Sequence, residues 1–150
     1  MHHFKAIVLT IWIACMVGFA RLGYSDETLA IVTQKSSKLQ NLSLETLKEV
    51  YLRKRLLDGS GIRWIPLNLP VDHELRQGFS FALFKKLPED LEEYWNEQYF
   101  HGMNPPEVLA SEEAVLRFVV ITPGAIGYVR KRNADARVKI LKVISVPEQK

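Results

Sequence analysis

Apolar residues in this chain change period as the sequence runs, from strand-like to helix-like and back, and this alternation constrains the fold more than any other feature. Leu29-Ala30-Ile31-Val32-Thr33 is a short β-branched run that predicts a buried strand. A polar stretch over 34–41 follows it. Ser43 then has the form of an N-cap, with Leu42 and Leu47 placed as a hydrophobic staple and Leu44, Leu47, Val50 and Tyr51 on one helical face. Asp58-Gly59-Ser60-Gly61 is a turn signal. Residues 62–69 predict a second strand, which Trp64 and Pro66 mark as lying at an edge or ending early.

Beyond that strand Asp72 is predicted to cap a helix whose apolar positions include Leu75, Phe79, Ala82 and Leu83. Pro88 opens another, with Leu91, Tyr94, Trp95 and Tyr99 at helical spacing and read as core. Residues 102–106 break it. Ser111, followed by Glu112 and Glu113, starts a fourth helix, because a hydroxyl cap and first-turn carboxylates satisfy its exposed amides and dipole. Val115, Leu116, Phe118 and Val119 supply its buried face. The chain turns at Pro123-Gly124, where Gly124 suits a left-handed cap, and residues 125–129 form a third strand in which Gly127 permits close passage beneath a helix. A polar, hairpin-like stretch over 131–137 leads to a last strand over 138–146. The order is strand, helix, strand, three helices, strand, strand, which predicts one α/β domain with helices covering a mixed sheet.

The first 25 residues stand apart. Lys5 precedes an almost continuously apolar run over 6–20, and Gly23-Tyr24-Ser25 places small residues three and one before Asp26. That is the order of a secretory signal peptide cut after Ser25, leaving a domain over 26–150 and a periplasmic location. The apolar run is shorter than the roughly 20 residues of a spanning helix. A retained anchor and lipidation at Cys15 stay open as alternatives.

Cleavage after Ser25 removes Cys15, the one cysteine, and with it any disulfide or cysteine metal site. It also removes Lys5 and Arg21, reducing a net charge of +3 to one near neutrality. A near-neutral domain has no electrostatic case for nucleic acid. The basic residues Arg130, Lys131, Arg132, Arg137, Lys139 and Lys142 read as a solvated edge and tail.

His73 and His101 have no partner at ligand spacing, no serine lies in a nucleophile elbow, and no phosphate loop of the nucleotide-binding type is present. Glu89, Asp90, Glu92, Glu93, Glu112 and Glu113 fall on polar helical faces and first turns. No acid/base pair emerges, so the chain reads as a non-enzyme without cofactor or metal. The stretch Asn68-Leu69-Pro70-Val71-Asp72-His73-Glu74-Leu75-Arg76 runs a strand straight into a helix start, where open α/β sheets gather anions. Arg76 is the cation there; Asp72 and Glu74 oppose it.

Five stretches, taken in order, carry a resemblance: "LSLETLKEVYLRKR", "IRWIPLNLP", "LRQGFSFALFKK", "YWNEQYFHGMNPP" and "TPGAIGYV". Together they resemble small members of the phosphate-binding proteins of ABC transporters, over residues 29–130. The resemblance implies a periplasmic-binding-protein-like fold of the second type, present as a single lobe, in an exported solute-binding-like protein whose ligand is a small anion such as phosphate. In larger relatives two lobes close on the phosphate, and a Ser-Gly-Thr type sequence preceded by an arginine grips its oxygens at a helix start. This chain has length for roughly one lobe, and the corresponding stretch over 69–76 lacks the glycine and hydroxyl pair. The candidates carried over are Asp72 and His73 at the helix start, with Arg76 as a substitute cation. Ser36 and Ser37 join them if the loop after the first strand faces the same end of the sheet. The alternative is a non-enzymatic periplasmic module that docks on a membrane transporter or sensor without a ligand of its own.

Overall fold

The structure, a computed structural model, describes residues 27–146; the leader, its cleavage after Ser25 and Cys15 lie outside them. Five strands, β1 (Glu27–Gln34), β2 (Ile65–Asn68), β3 (Glu107–Val108), β4 (Ala125–Arg130) and β5 (Val138–Val146), form one mixed sheet in the order β3-β2-β4-β1-β5. β2 runs parallel to β3 and β4, whereas β1 is antiparallel to both β4 and β5. Four helices accompany them: α1 (Leu44–Tyr51), α2 (Glu74–Phe84), α3 (Glu92–Phe100) and α4 (Glu112–Ile121). The α/β class read from the alternating periods is the class observed.

Successive side chains of a strand point to opposite faces, and β4 shows how the helices divide. Tyr128 stacks on Phe79 of α2 at a centroid distance of 3.9 Å and faces Tyr51 of α1 at 6.3 Å. Its neighbour Gly127 lies against Val115 of α4, so close that an added Cβ would stand 2.5 Å from Val115 Cγ1. Helices therefore cover both faces, with α1 and α2 on one and α4 on the other. The core between them holds Leu29, Ile31, Leu47, Leu67, Val119 and Ile126, all fully buried.

Serine caps occur where the sequence places them. The Ser43 hydroxyl accepts from the Thr46 amide at 3.0 Å, and that of Ser111 from the Ala114 amide at 3.1 Å. Three expectations need correction. The second strand begins at Ile65 and lies one strand in from the edge, because the parallel pair β3 covers its outer side. Pro66 is tolerated there because the Ile65 amide bonds toward β4 and the next residue faces the other way, ahead of the point where β3 begins opposite Leu67. The helix read from Pro88 opens with a 3-10 turn over Glu89–Leu91, and within α3 no residue is fully buried. Tyr94 and Trp95 are half-buried, while Tyr99 is 68% exposed, so the aromatic run is a surface rather than core.

Candidate functional site

β2 ends at Asn68, and α2 begins at Glu74 after five intervening residues. The cap of α2 is His73, not Asp72: the Nδ1 atom of His73 accepts from the Leu75 amide at 3.2 Å, while Asp72 sits exposed in the preceding turn. A ring nitrogen one residue closer to the helix reaches the free amide that the aspartate was expected to fill.

Glu74, the first residue of α2, turns toward Arg130 at the end of β4. Arg130 also pairs with Glu112, the first residue of α4, and with Glu27 at 3.4 Å. Glu112 in turn accepts from the Arg130 amide at 2.7 Å and from the Asn133 side chain at 3.0 Å, and Arg132 reaches Glu27 at 3.1 Å. The starts of α2 and α4 thus converge on one guanidinium whose side chain is only 15% exposed. An anion approaching these helix starts meets carboxylates already in place. The arginines of the basic stretch at 130–137 prove to be paired: Arg137 also contacts Glu113 at 2.9 Å and Asp135 at 2.8 Å.

Arg76, in the first turn of α2, points into the molecule. Its Nη1 is buried without a hydrogen-bond partner, in a gap of about 10 Å³ lined by Tyr51, Asn68, Phe79 and Ser80. That is room for a single water. Burial lowers the Arg76 pKa, against the opposing influence of Tyr128, Tyr51 and Glu89. The strand end around it is hydrogen-bonded: the Tyr51 hydroxyl donates to the Leu67 carbonyl at 2.9 Å, and the Tyr128 hydroxyl donates to Asn68 Oδ1 and accepts from the Leu69 amide, each at 3.2 Å.

Ser36 and Ser37 do not join this group. Because β1 is antiparallel to β4, which is parallel to β2, the loop after β1 lies at the opposite end of the sheet from the start of α2. There both serines line a groove of about 240 Å³ with Thr33, Trp64 and Gly124. Ser36 Oγ donates to Gln34 Oε1 at 3.1 Å, and Ser37 Oγ accepts from the Leu39 amide at 3.3 Å. The structure leaves Asp72, His73 and Arg76 at the start of α2, with Arg76 turned inward, and separates them from the serines.

Sequence reasoning missed the Arg130 centre altogether. Its one signal was a basic residue closing an apolar strand, and nothing in the linear order told which carboxylates would meet it. Among the described residues no group of three or more His, Cys, Asp or Glu could hold a metal ion, and no helix is long and apolar enough to cross a membrane.

A mixed five-stranded sheet with helices on both faces is the fold of a single periplasmic-binding-protein-like lobe. Solved structures with this fold include a phosphate ABC transporter substrate-binding protein from Clostridium perfringens with bound phosphate, at a TM-score of 0.64 and 18% identity, covering 77% of this chain and 44% of that one. They also include an ABC-type phosphate transport receptor from Vibrio cholerae, at 0.63 and 16%, covering 77% and 46%, and PstS from Borrelia burgdorferi, at 0.61 and 17%, covering 77% and 46%. The chain spans less than half the length of each. At these identities the likeness shows the fold. No protein-family model matches the sequence, and no curated protein matches it.

Proposed function

We propose that this chain is an exported, non-enzymatic solute-binding-like lobe of the phosphate-transport type, released as residues 26–150 into the periplasm. In this reading it holds a small anion such as phosphate at the carboxyl end of β2. The observation that carries it is Arg76, a guanidinium with a buried, unpartnered Nη1 beside Asn68 at the strand end where open α/β sheets present their ligands. The present gap admits only water, so binding requires α2 and α3 to part or a partner surface to complete the site. Calorimetric titration with phosphate, sulfate and small carboxylates tests it. Arg76→Gln is expected to weaken the binding, and silence of the wild type at millimolar anion rejects binding by the isolated lobe.

The Arg130 centre favours a second reading, a lobe that docks on a membrane transporter or sensor without a ligand of its own. Glu74 and Glu112 occupy the helix starts where a free anion would otherwise be held. Crosslinking in envelope extracts, with the crosslinked species identified, decides between them; recovery of the uncrosslinked monomer alone counts against docking.

A further inference from the structure

Arg55, Arg117, Arg130, Arg132 and Arg137 each pair with a carboxylate, whereas Arg53, Arg63 and Arg76 make no ion pair among the described residues. Arg76 faces a closed gap. Arg53 and Arg63 share an open groove of about 210 Å³, walled by Trp64, Asn104 and Pro106, with Glu107 as the one carboxylate on its lining. Three of the stretches that carry the family resemblance meet here: one supplies Arg53, another Arg63 and Trp64, a third Asn104 and Pro106.

Arg53 occupies a costly position. It follows the C-cap of α1 with φ 61°, the left-handed conformation in which helices usually carry glycine. A side-chain-bearing residue is disfavoured there by about 1 kcal/mol or more. One of its donors is used locally, since Nη1 bonds to the Trp64 carbonyl at 3.3 Å. Nε is buried and has no partner. Burial, and after it the charge of Arg63, lower the Arg53 pKa, which places the two guanidiniums within electrostatic reach of each other.

We propose that this groove is an oxyanion site that takes a phosphate-type group between the Arg53 and Arg63 guanidiniums, at the end of the sheet opposite Arg76. Two guanidiniums facing one carboxylate leave an uncompensated positive charge, and planar guanidinium donors suit the oxygens of phosphate. The site does not rest on the reading of Arg76 as an anion ligand.

The test is a titration of the mature chain with inorganic phosphate, followed by calorimetry and by the indole N–H resonance of Trp64. A saturable shift is expected, weakened about tenfold or more by Arg53→Gly and by Arg63→Gln. Arg53→Gly relieves the left-handed strain, so its melting temperature should hold or rise, and lost binding cannot be put down to lost fold. The Trp64 resonance reports on this groove and not on the gap at Arg76, which Trp64 does not line, so a saturable shift there separates the site from the Arg76 reading. A parallel arm uses phosphatidylglycerol vesicles: a response to free phosphate assigns a solute, and a response to vesicles alone assigns a lipid headgroup phosphate. No response in either arm, or one that survives the Arg53→Gly, Arg63→Gln double variant, overturns the proposal.

Discussion

Gly127 and Gly124 show how single atoms fix this fold. A Cβ on Gly127 would stand 2.5 Å from Val115 Cγ1, and one on Gly124 would stand 2.1 Å from the Arg63 carbonyl oxygen at a φ of 82°. Gly127→Ala should cost about 1 to 3 kcal/mol, since α4 must shift or Val115 must change rotamer. Gly124→Ala should cost more, because it meets backbone and adds left-handed strain. Chemical denaturation measures both, and an unchanged midpoint for Gly127→Ala would mean that α4 rides on the sheet with slack. The role of Gly127 was legible in the sequence, but Gly124 does not cap the helix as expected: α4 ends with Thr122 in an extended conformation, and Gly124 takes its positive φ in the next turn, closed by the Ala125 amide on the Thr122 carbonyl at 3.1 Å. Nor was Arg130 legible: a strand-end arginine looks like a solvated base until three elements distant in the chain deliver Glu27, Glu74 and Glu112 to it.

Helix starts divide the same way between what local chemistry reveals and what it hides. Ser43 and Ser111 cap α1 and α4 as serines before apolar periodic runs should, and replacing either by alanine should cost about 1 kcal/mol in thermal or chemical unfolding. His73 displaces Asp72 because cap choice depends on where the chain leaves β2, which is a tertiary matter. At the start of α4, Glu112 accepts from two side chains and one amide while Arg130 lies largely buried, so Glu112→Ala should destabilise by about 2 kcal/mol or more. Glu74→Ala, at a side chain 74% exposed, should cost far less. Equal losses in the two variants would show that Arg130 is held by all its partners alike. α3 was misjudged because its aromatic spacing is helical, yet none of its residues is fully buried: the Tyr94 hydroxyl donates to the Leu52 carbonyl beyond α1, and Tyr99 and Phe100 stay outside.

Across the whole molecule, stability should depend on pH at both extremes. Burial holds the Tyr128 hydroxyl up at about 12, from an ordinary value of 10, and raises that of Tyr51 as well. A raised folded value means that the protonated hydroxyl is preferred in the native state, so this stabilisation is complete below about pH 10 and is lost as pH rises through about 12. Ultraviolet titration of tyrosinate should show two rings ionising together with unfolding; independent ionisation in a still-folded chain would contradict their burial. At the acid end, Arg137 and Arg117 hold Glu113 down at about 2, so its contribution is present above about 4.5 and fades as pH falls toward 2. Because Glu113 is exposed, that fading should shrink in added salt.

The α/β class and most elements were readable from period alone, but strand order was not, since pairing between distant segments leaves no local mark. That order places β1 in the interior, flanked by β4 and β5, with Glu27 opposite Val146. The first strand described therefore depends on the last. As the chain emerges, β1 has one unfilled side until β5 exists, so the sheet closes late, through contacts of very high sequence separation and with correspondingly slow kinetics. Until residues 138–146 are free, a chain of this topology keeps an open edge on β1, the kind of edge to which a foreign strand adds.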